Sequence, residues 1–202
     1  MVIRPTKVAG VSIVELEPYV DERGTFTRTF DADIFTSHGL DAHVVQCSTS
    51  FNSRAGTLRG IHYQAHPHAE GKLVRCSRGR IFDVVVDLRP NSPTHMQWIG
   101  VELDAREPSE LFIPEGCAHG FQTLEDESEV YYQMSTAYRP DLYTGVRWDD
   151  PAFAIEWPEP PGGERIVSDR DRAFPDYLIP AAAPRTAARR WTPHPAWPAR
   201  RR

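Results

Sequence analysis

A short stretch of the sequence combines an imidazole with two cations that suit chemistry on an anionic substrate. His62 and Arg59 lie in the glycine-punctuated run 56–64, and Lys72 follows shortly after it. Histidine is the side chain best suited to proton transfer near neutral pH. A neighbouring cation can hold a phosphate group or stabilise an enolate. The grouping therefore predicts a proton-transfer site rather than an isolated core histidine.

The face on which each of these side chains lies depends on the regularity of the strand. Because side chains alternate across a strand, spacing alone does not place Arg59 or Lys72 relative to His62. In one unbroken strand, residues of like parity share a face. In this run those residues are Leu58, Gly60, His62 and Gln64.

The elements that must position these groups have the period of β-strands. The β-branched run 80–88 ends at a Pro- and Asn-containing turn, as a strand does. Further candidate strands lie at 11–16, 24–30, 98–103, 110–113 and 129–135. Short strands with closely spaced turn signals predict an all-β sandwich or barrel. A few short helices are expected, one opening at Asp31 and another near residues 169–174.

Composition predicts one folded domain followed by a basic tail. The chain has 202 residues, of which 40% are hydrophobic, and the net charge is −5. Residues 180–202 hold six arginines and no acidic residue, so 17 basic and 28 acidic residues remain in the body. An acidic body argues against nucleic-acid binding. We expect a domain at 1–178 and a Pro/Ala/Arg-rich tail without a fixed fold at 179–202.

The cysteines and the hydrophobic segments predict a cytoplasmic protein. Cys47, Cys76 and Cys117 are scattered, odd in number and without metal-ligand spacing, which favours free thiols in a reducing compartment. The N-terminus lacks the hydrophobic region of a signal peptide. No apolar window approaches the ~18 residues of a membrane span. No membrane partner is expected.

Residues 58–64 resemble the Leu-Arg-Gly-Leu-His-Tyr/Phe-Gln signature of the dTDP-4-dehydrorhamnose 3,5-epimerase family. Further blocks follow in the order of that family over residues 3 to 177, which makes the signal specific. They include Lys72-Leu73-Val74-Arg75, Phe82-Asp83-Val84-Val85-Val86-Asp87-Leu88-Arg89, Pro114-Glu115-Gly116-Cys117-Ala118-His119-Gly120-Phe121, Glu129-Val130-Tyr131-Tyr132 and Ser168-Asp169-Arg170-Asp171. The resemblance implies an isomerase with a cupin-like jelly-roll barrel, no cofactor or metal, and a homodimer with strands contributed across it.

The implied substrate is a nucleotide-linked 4-keto-6-deoxyhexose, by default dTDP-4-keto-6-deoxyglucose on the way to rhamnose or another deoxysugar. Protons on carbons 3 and 5 lie α to the ketone and are acidified by it. The resemblance implies that His62 removes such a proton with Asp171 as its partner, that Lys72 stabilises the enolate, and that Tyr132 reprotonates the other face. Asp169 competes with Asp171, and alternation allows only one of Tyr131 and Tyr132 to enter the barrel. Inversion at carbon 3, carbon 5 or both stays open.

Substrate-binding residues follow from the same resemblance. Arg23 and Arg59 would hold the diphosphate, since arginine binds phosphate oxygens in a bidentate fork. Tyr138 would line the site. His119 either hydrogen-bonds the sugar or makes a structural contact in its turn, and both readings stay open.

Two positions depart from the family pattern where the nucleotide or its phosphates would lie. Arg28 stands where the family commonly has glutamate, which reverses the charge. Gln46 keeps the first position of a Gln-x-Asn-x-Ser segment, but Ser48 replaces the asparagine. The reaction type is therefore predicted more firmly than the base, and a nucleotide other than thymidine is an alternative.

Two other functions remain as alternatives. A metal-dependent cupin could use imidazoles of His66, His68 and His119 with the carboxylate of Glu70. However, only one residue separates His68 from Glu70, and cupin metal motifs space these ligands more widely. A non-catalytic sugar-binding cupin would keep the arginines and dispense with His62 and its proton-transfer partners.

Overall fold

The structure is a computed structural model that describes residues 1–177. The tail predicted for 179–202 lies outside the described residues. In chain order the elements are β1 (Val2–Pro5), β2 (Ser12–Glu15), β3 (Tyr19–Asp21), β4 (Gly24–Phe26), α1 (Ala32–Ser37), β5 (Gln46–Asn52), β6 (Thr57–Gln64), β7 (Lys72–Arg78), β8 (Arg80–Asp87), β9 (Trp98–Asp104), β10 (Ser109–Ile113), β11 (Cys117–Thr123), β12 (Ser128–Met134), β13 (Tyr143–Gly145), β14 (Ile166–Val167) and α2 (Asp169–Arg172). Among these residues no helix is long and apolar enough to cross a membrane.

Two facing sheets form the body of the protein, which confirms the predicted all-β sandwich. The first sheet has the order β1-β2-β10-β7-β12-β5, and the second has the order β13-β6-β11-β8-β9, with β14 paired to β6. Alternate residues of both sheets meet between them in one apolar core that includes Val74, Leu111, Val130, Val85 and Phe121. This packing fixes which side chains of each strand enter the interior.

The outer faces of both sheets are also covered in part. Helix α1 lays Phe35 against Phe112 on the first sheet. On the second sheet, Val84 packs outward against a cluster that includes Phe153. Strand β8 is therefore apolar on both faces, which explains why its sequence is a continuous β-branched run rather than an alternating one.

The predicted strand at 24–30 is shorter than expected. Strand β4 ends at Phe26, where it pairs with Tyr19 of β3 in a two-stranded hairpin that joins neither large sheet. Asp31 then caps α1, because its carboxylate accepts hydrogen bonds from the backbone N–H groups of Asp33 and Ile34. The strand therefore ends before residue 30, and the chain enters this helix through the Asp31 cap.

A bulge in β6 decides the geometry of the interior. His62 pairs with His119 and Arg59 pairs with Phe121, so β6 advances three residues while β11 advances two. The rule that residues of like parity share a face holds only for an unbroken strand, and the bulge breaks this one, because the extra residue brings Arg59 and His62 to the same side. Gly60 is the residue that permits this, since its φ is +122° and a Cβ on it would lie 2.5 Å from the Cα of Gly120.

Candidate active site

A cavity of about 640 Å³ collects most of the predicted site residues. It is lined from both sheets and from the segment that carries α2. The predicted residues that line it are Arg59, His62, Lys72, His119, Tyr132, Tyr138 and Asp171. Acid–base groups and cations thus line one cavity, as a site for small-molecule chemistry requires.

His62 and Asp171 form a dyad in which the carboxylate is buried and the imidazole is partly exposed to the cavity. Nε2 of His62 lies 2.7 Å from Oδ1 of Asp171, whose side chain is only 6% exposed. The other carboxylate oxygen accepts the backbone N–H of Gly60 at 3.1 Å. Burial tends to raise the pKa of Asp171, but the hydrogen bond and charge of His62 outweigh it and hold that pKa below its ordinary value. Asp171 is therefore an ionised partner for Nε2, and Nδ1 is the ring nitrogen left to accept a proton.

Helix α2 decides between the two candidate carboxylates. Ser168 caps this one-turn helix by accepting the backbone N–H of Asp171. The turn directs the Asp171 side chain into the cavity and leaves Asp169 exposed to solvent. Asp169 is thus not available to His62 in this arrangement.

Tyr132 enters the cavity from β12. Its neighbour Tyr131 lies on the opposite face, where the guanidinium of Arg75 stacks over the ring at 4.9 Å. Burial raises the pKa of Tyr132, the charge of Asp83 raises it further, and Arg59 acts in the opposite sense. The Tyr132 phenol therefore keeps its proton at neutral pH and is available as a donor.

Two cations face the cavity in fixed positions. Nζ of Lys72 lies 2.7 Å from Oε1 of Glu70, and both side chains are nearly buried. Nε of Arg59 donates to Oδ1 of Asn52 at 2.8 Å. That hydrogen bond fixes the guanidinium and leaves its two terminal nitrogens to bind an anion.

His119 lies in strand β11 rather than in a turn, and its predicted contact with the sugar stays a prediction. It lines the cavity, and its Nε2 lies 2.6 Å from Oδ1 of Asp83. Both side chains are buried, at 5% and 0% exposure. The ring edge approaches Tyr132 with 6.0 Å between ring centroids. The pair is thus a structural contact that also presents an imidazole to the site.

Three predicted binding residues do not line the cavity of this chain. Arg23 pairs with Asp21 in the β3–β4 hairpin, and Arg28 pairs with Asp31. Both arginine side chains are exposed, at 83% and 67%, so neither reaches the interior of this chain. Gln46 acts indirectly, because its Oε1 accepts the backbone N–H of Tyr138 at 2.5 Å and so holds a residue that does line the cavity.

Sequence reasoning missed several lining or supporting residues. Arg170 lies at the cavity with its guanidinium 5.1 Å from the centre of the Tyr143 ring, and that ring lies 5.2 Å from the His62 ring. Adjacency to Asp171 was an available signal for Arg170. A charged residue inside an apolar strand was the signal for Asp83. Nothing in the sequence pattern indicated Tyr143.

The residues offered for a metal site do not assemble one. His66 and His68 are exposed, Glu70 is bound to Lys72, and His119 is bound to Asp83. Within residues 1–177 no group of three or more His, Cys, Asp or Glu side chains is arranged to hold a metal ion. The metal-dependent alternative therefore lacks its ligand set in this part of the chain.

A jelly-roll barrel that encloses a His–Asp dyad, a protonated phenol and fixed cations defines a cupin-like acid–base enzyme. Residues 5–178 match the sequence model of the family described as dTDP-4-dehydrorhamnose 3,5-epimerase. The chain belongs to this family, whose members are isomerases, and the predicted family, fold class and enzyme class are confirmed.

Individual relatives are similar over most of the chain. The dTDP-4-dehydrorhamnose 3,5-epimerase of Methanothermobacter thermautotrophicus is 47% identical over 167 residues, which are 83% of this chain and 89% of that protein. The crystal structure of the Bacillus anthracis enzyme, with TDP and PPi bound, superimposes with a TM-score of 0.83 at 37% identity, covering 87% of this chain and 99% of that one. ChmJ of Streptomyces bikiniensis, a 3'-monoepimerase in complex with dTDP-quinovose, gives a TM-score of 0.79 at 33% identity and covers 86% of each chain.

Proposed function

We propose that this protein epimerises a nucleotide-linked 4-keto-6-deoxyhexose at carbon 3, carbon 5 or both, in deoxysugar biosynthesis of the rhamnose type. The observation that carries the proposal is the meeting of the His62–Asp171 dyad, Tyr132 and Lys72 in one cavity. Family membership supports the reaction class. The TDP and dTDP-sugar held by two relatives support a nucleotide-diphosphate sugar as substrate.

The proposed reaction moves two protons and no other atoms. Nδ1 of His62 takes the proton from a carbon next to the ketone, and the electron pair shifts to the carbonyl oxygen as an enolate. The Asp171 carboxylate stabilises the imidazolium that forms, and the Lys72 ammonium stabilises the enolate oxygen. The Tyr132 phenol then donates a proton to the opposite face of the same carbon. To restore the site, His62 releases its proton to solvent and Tyr132 takes up a proton from solvent.

The substrate's phosphates are proposed to lie against the arginines of the cavity. Arg59 is held by Asn52 with two nitrogens available, and Arg170 is exposed beside Tyr143. Both lie within the cavity lining that also carries the dyad. The charge reversal at Arg28 is proposed to alter recognition of the base, so a nucleotide other than thymidine is the alternative substrate.

We propose that the protein is a homodimer in which the β3–β4 hairpin reaches the partner's site. The hairpin pairs with neither large sheet of its own chain and exposes Tyr19, Val20 and Phe26 at 66–72%. Such a patch is typical of an interaction surface, and Arg23 at its tip would thereby reach a cavity. Analytical ultracentrifugation should show a dimer at micromolar concentration that Phe26→Ser weakens. A monomeric wild-type protein would contradict the proposal.

We also propose a cytoplasmic setting. The three cysteines are free thiols in the structure, and two of them are buried. Free thiols persist in a reducing compartment. A disulfide found in protein isolated under thiol-blocking conditions would contradict this setting.

The function is tested by proton NMR of dTDP-4-keto-6-deoxyglucose incubated with the protein in deuterium oxide. Deuterium at carbons 3 and 5 with an inverted product means a double epimerase, and deuterium at one carbon means a mono-epimerase like ChmJ. Because Arg28 departs from the family pattern, the assay is repeated with the UDP, GDP and CDP sugars. Binding without exchange for every sugar would contradict the proposal and favour the sugar-binding alternative.

A further inference from the structure

We propose that Glu70 is a positioning residue that fixes Lys72 in the cavity and keeps its amine protonated. This proposal rests on the proposed function, in which Lys72 stabilises the enolate. Glu70 precedes β7 by two residues and lines the same cavity as Lys72. It entered the sequence reasoning only as a candidate metal ligand, and the structure gives it a different partner.

The ion pair between Glu70 and Lys72 is short and almost fully buried from solvent. Nζ and Oε1 lie 2.7 Å apart, and the lysine and glutamate side chains are 10% and 6% exposed. Burial removes the water that stabilises an ammonium ion and so favours the neutral amine. A neutral amine cannot offset the charge of an enolate. The adjacent carboxylate reverses this preference, because a charge-assisted hydrogen bond at this distance favours the charged form.

The backbone between the two residues is anchored, so the pair has a defined geometry. Gly71 donates its N–H to the Ser135 hydroxyl at 2.8 Å, and Ser135 donates its own N–H to the Gly71 carbonyl at 3.0 Å. Lys72 itself is in register with Met134 of β12 and with Ile113 of β10. The backbone positions from which the Glu70 and Lys72 side chains extend are therefore fixed.

No other carboxylate of the described cavity substitutes for Glu70. Asp171 is engaged by His62, and Asp83 is engaged by His119. The remaining charged or titratable groups that face the cavity are Arg59, Tyr132, Tyr138, Tyr143 and Arg170. The two arginines repel an ammonium ion, and the phenols are neutral at ordinary pH. Glu70 is thus the group that offsets the Lys72 charge before substrate enters.

The composition of the chain allows the charge of Lys72 to be measured directly. The sequence contains only two lysines, Lys7 and Lys72. Protein labelled with carbon-13 at lysine Cε therefore gives two NMR signals, assigned by Lys7→Arg. In Glu70→Gln, which keeps the length and an acceptor oxygen but loses the charge, the Lys72 signal should change at a lower pH than in the wild-type protein. The Lys7 signal is the internal control, since Lys7 lies over the Trp98 ring outside the cavity.

Kinetics test the consequence for the reaction. We expect Glu70→Gln to lower kcat at least about tenfold above neutral pH, a part of the ~10²–10³ that a direct oxyanion donor contributes. KM should change little, and the alkaline limb of the pH profile of kcat should move to lower pH. Glu70→Asp keeps the negative charge on a shorter side chain. Its Lys72 signal should therefore titrate close to the wild-type pH, whereas its kcat should recover only in part relative to Glu70→Gln. Glu15→Gln is the matched control, because Glu15 is an exposed partner of Arg4 outside the cavity.

The outcomes separate this proposal from the function on which it rests. If the wild-type protein turns over no nucleotide sugar, the function is wrong, while the NMR titration still decides whether Glu70 holds the Lys72 charge. An unshifted Lys72 signal in Glu70→Gln would overturn the proposal. So would an unchanged alkaline limb of kcat in Glu70→Gln, if that variant unfolds at the wild-type temperature.

Discussion

His62→Ala is expected to lower kcat by about 10²–10⁴-fold, the usual contribution of a positioned general base. It should also abolish the exchange of substrate protons with deuterium oxide. The other imidazole of the cavity, His119, is held by Asp83 rather than by Asp171, so it does not take the place of the His62 ring. Exchange followed by proton NMR, together with steady-state rates, measures both effects.

The orphaned Asp171 carboxylate requires a control for this first variant. His62→Gln places an amide where Nε2 was and can still donate to Asp171, so it should fold like the wild type and be equally inactive. His66→Ala removes an exposed histidine of a neighbouring loop and should leave the rate unchanged. Substantial deuterium exchange in both His62 variants would remove His62 as the base.

Tyr132→Phe is expected to separate proton removal from inversion. The phenyl ring fills the same space and only the hydroxyl donor is lost, so His62 still removes the proton. The enolate can then recover a proton only from the face of His62, which returns the original configuration carrying deuterium. Inverted product should fall by about 10²–10⁴-fold, while deuterium incorporation stays within about tenfold of the wild-type rate.

The adjacent tyrosine supplies a matched control for this second variant. Tyr131 lies on the other face of β12, stacked with Arg75, so Tyr131→Phe should retain both exchange and inversion. Proton NMR in deuterium oxide gives both rates from one sample. A Tyr132→Phe enzyme that inverts at the wild-type rate would rule out its role as the acid.

Strand positions were predictable because strands produce recognisable local patterns in the sequence. Alternation at 98–103 and 129–135 and the β-branched run at 80–88 correspond to β9, β12 and β8 within a residue or two. The failure at 24–30 has a local cause, since the capping preference of Asp31 competes with strand propensity. The placement of Arg59 on the face of His62 was not predictable, because the bulge in β6 depends on its hydrogen bonding to β11 and not on the residues of β6 alone.

The sequence by itself determined which residue types the site uses, and its motif order determined the family. It also determined the fold class, because side-chain period and turn residues act over a few positions along the chain. The tertiary structure brings Asp171 to His62 across 109 positions, as the family resemblance implied. Tertiary structure alone decided that Glu70, offered by the sequence as a metal ligand, pairs with Lys72. Such pairings depend on sheet register and on burial, which are settled only when distant strands pack and exclude water.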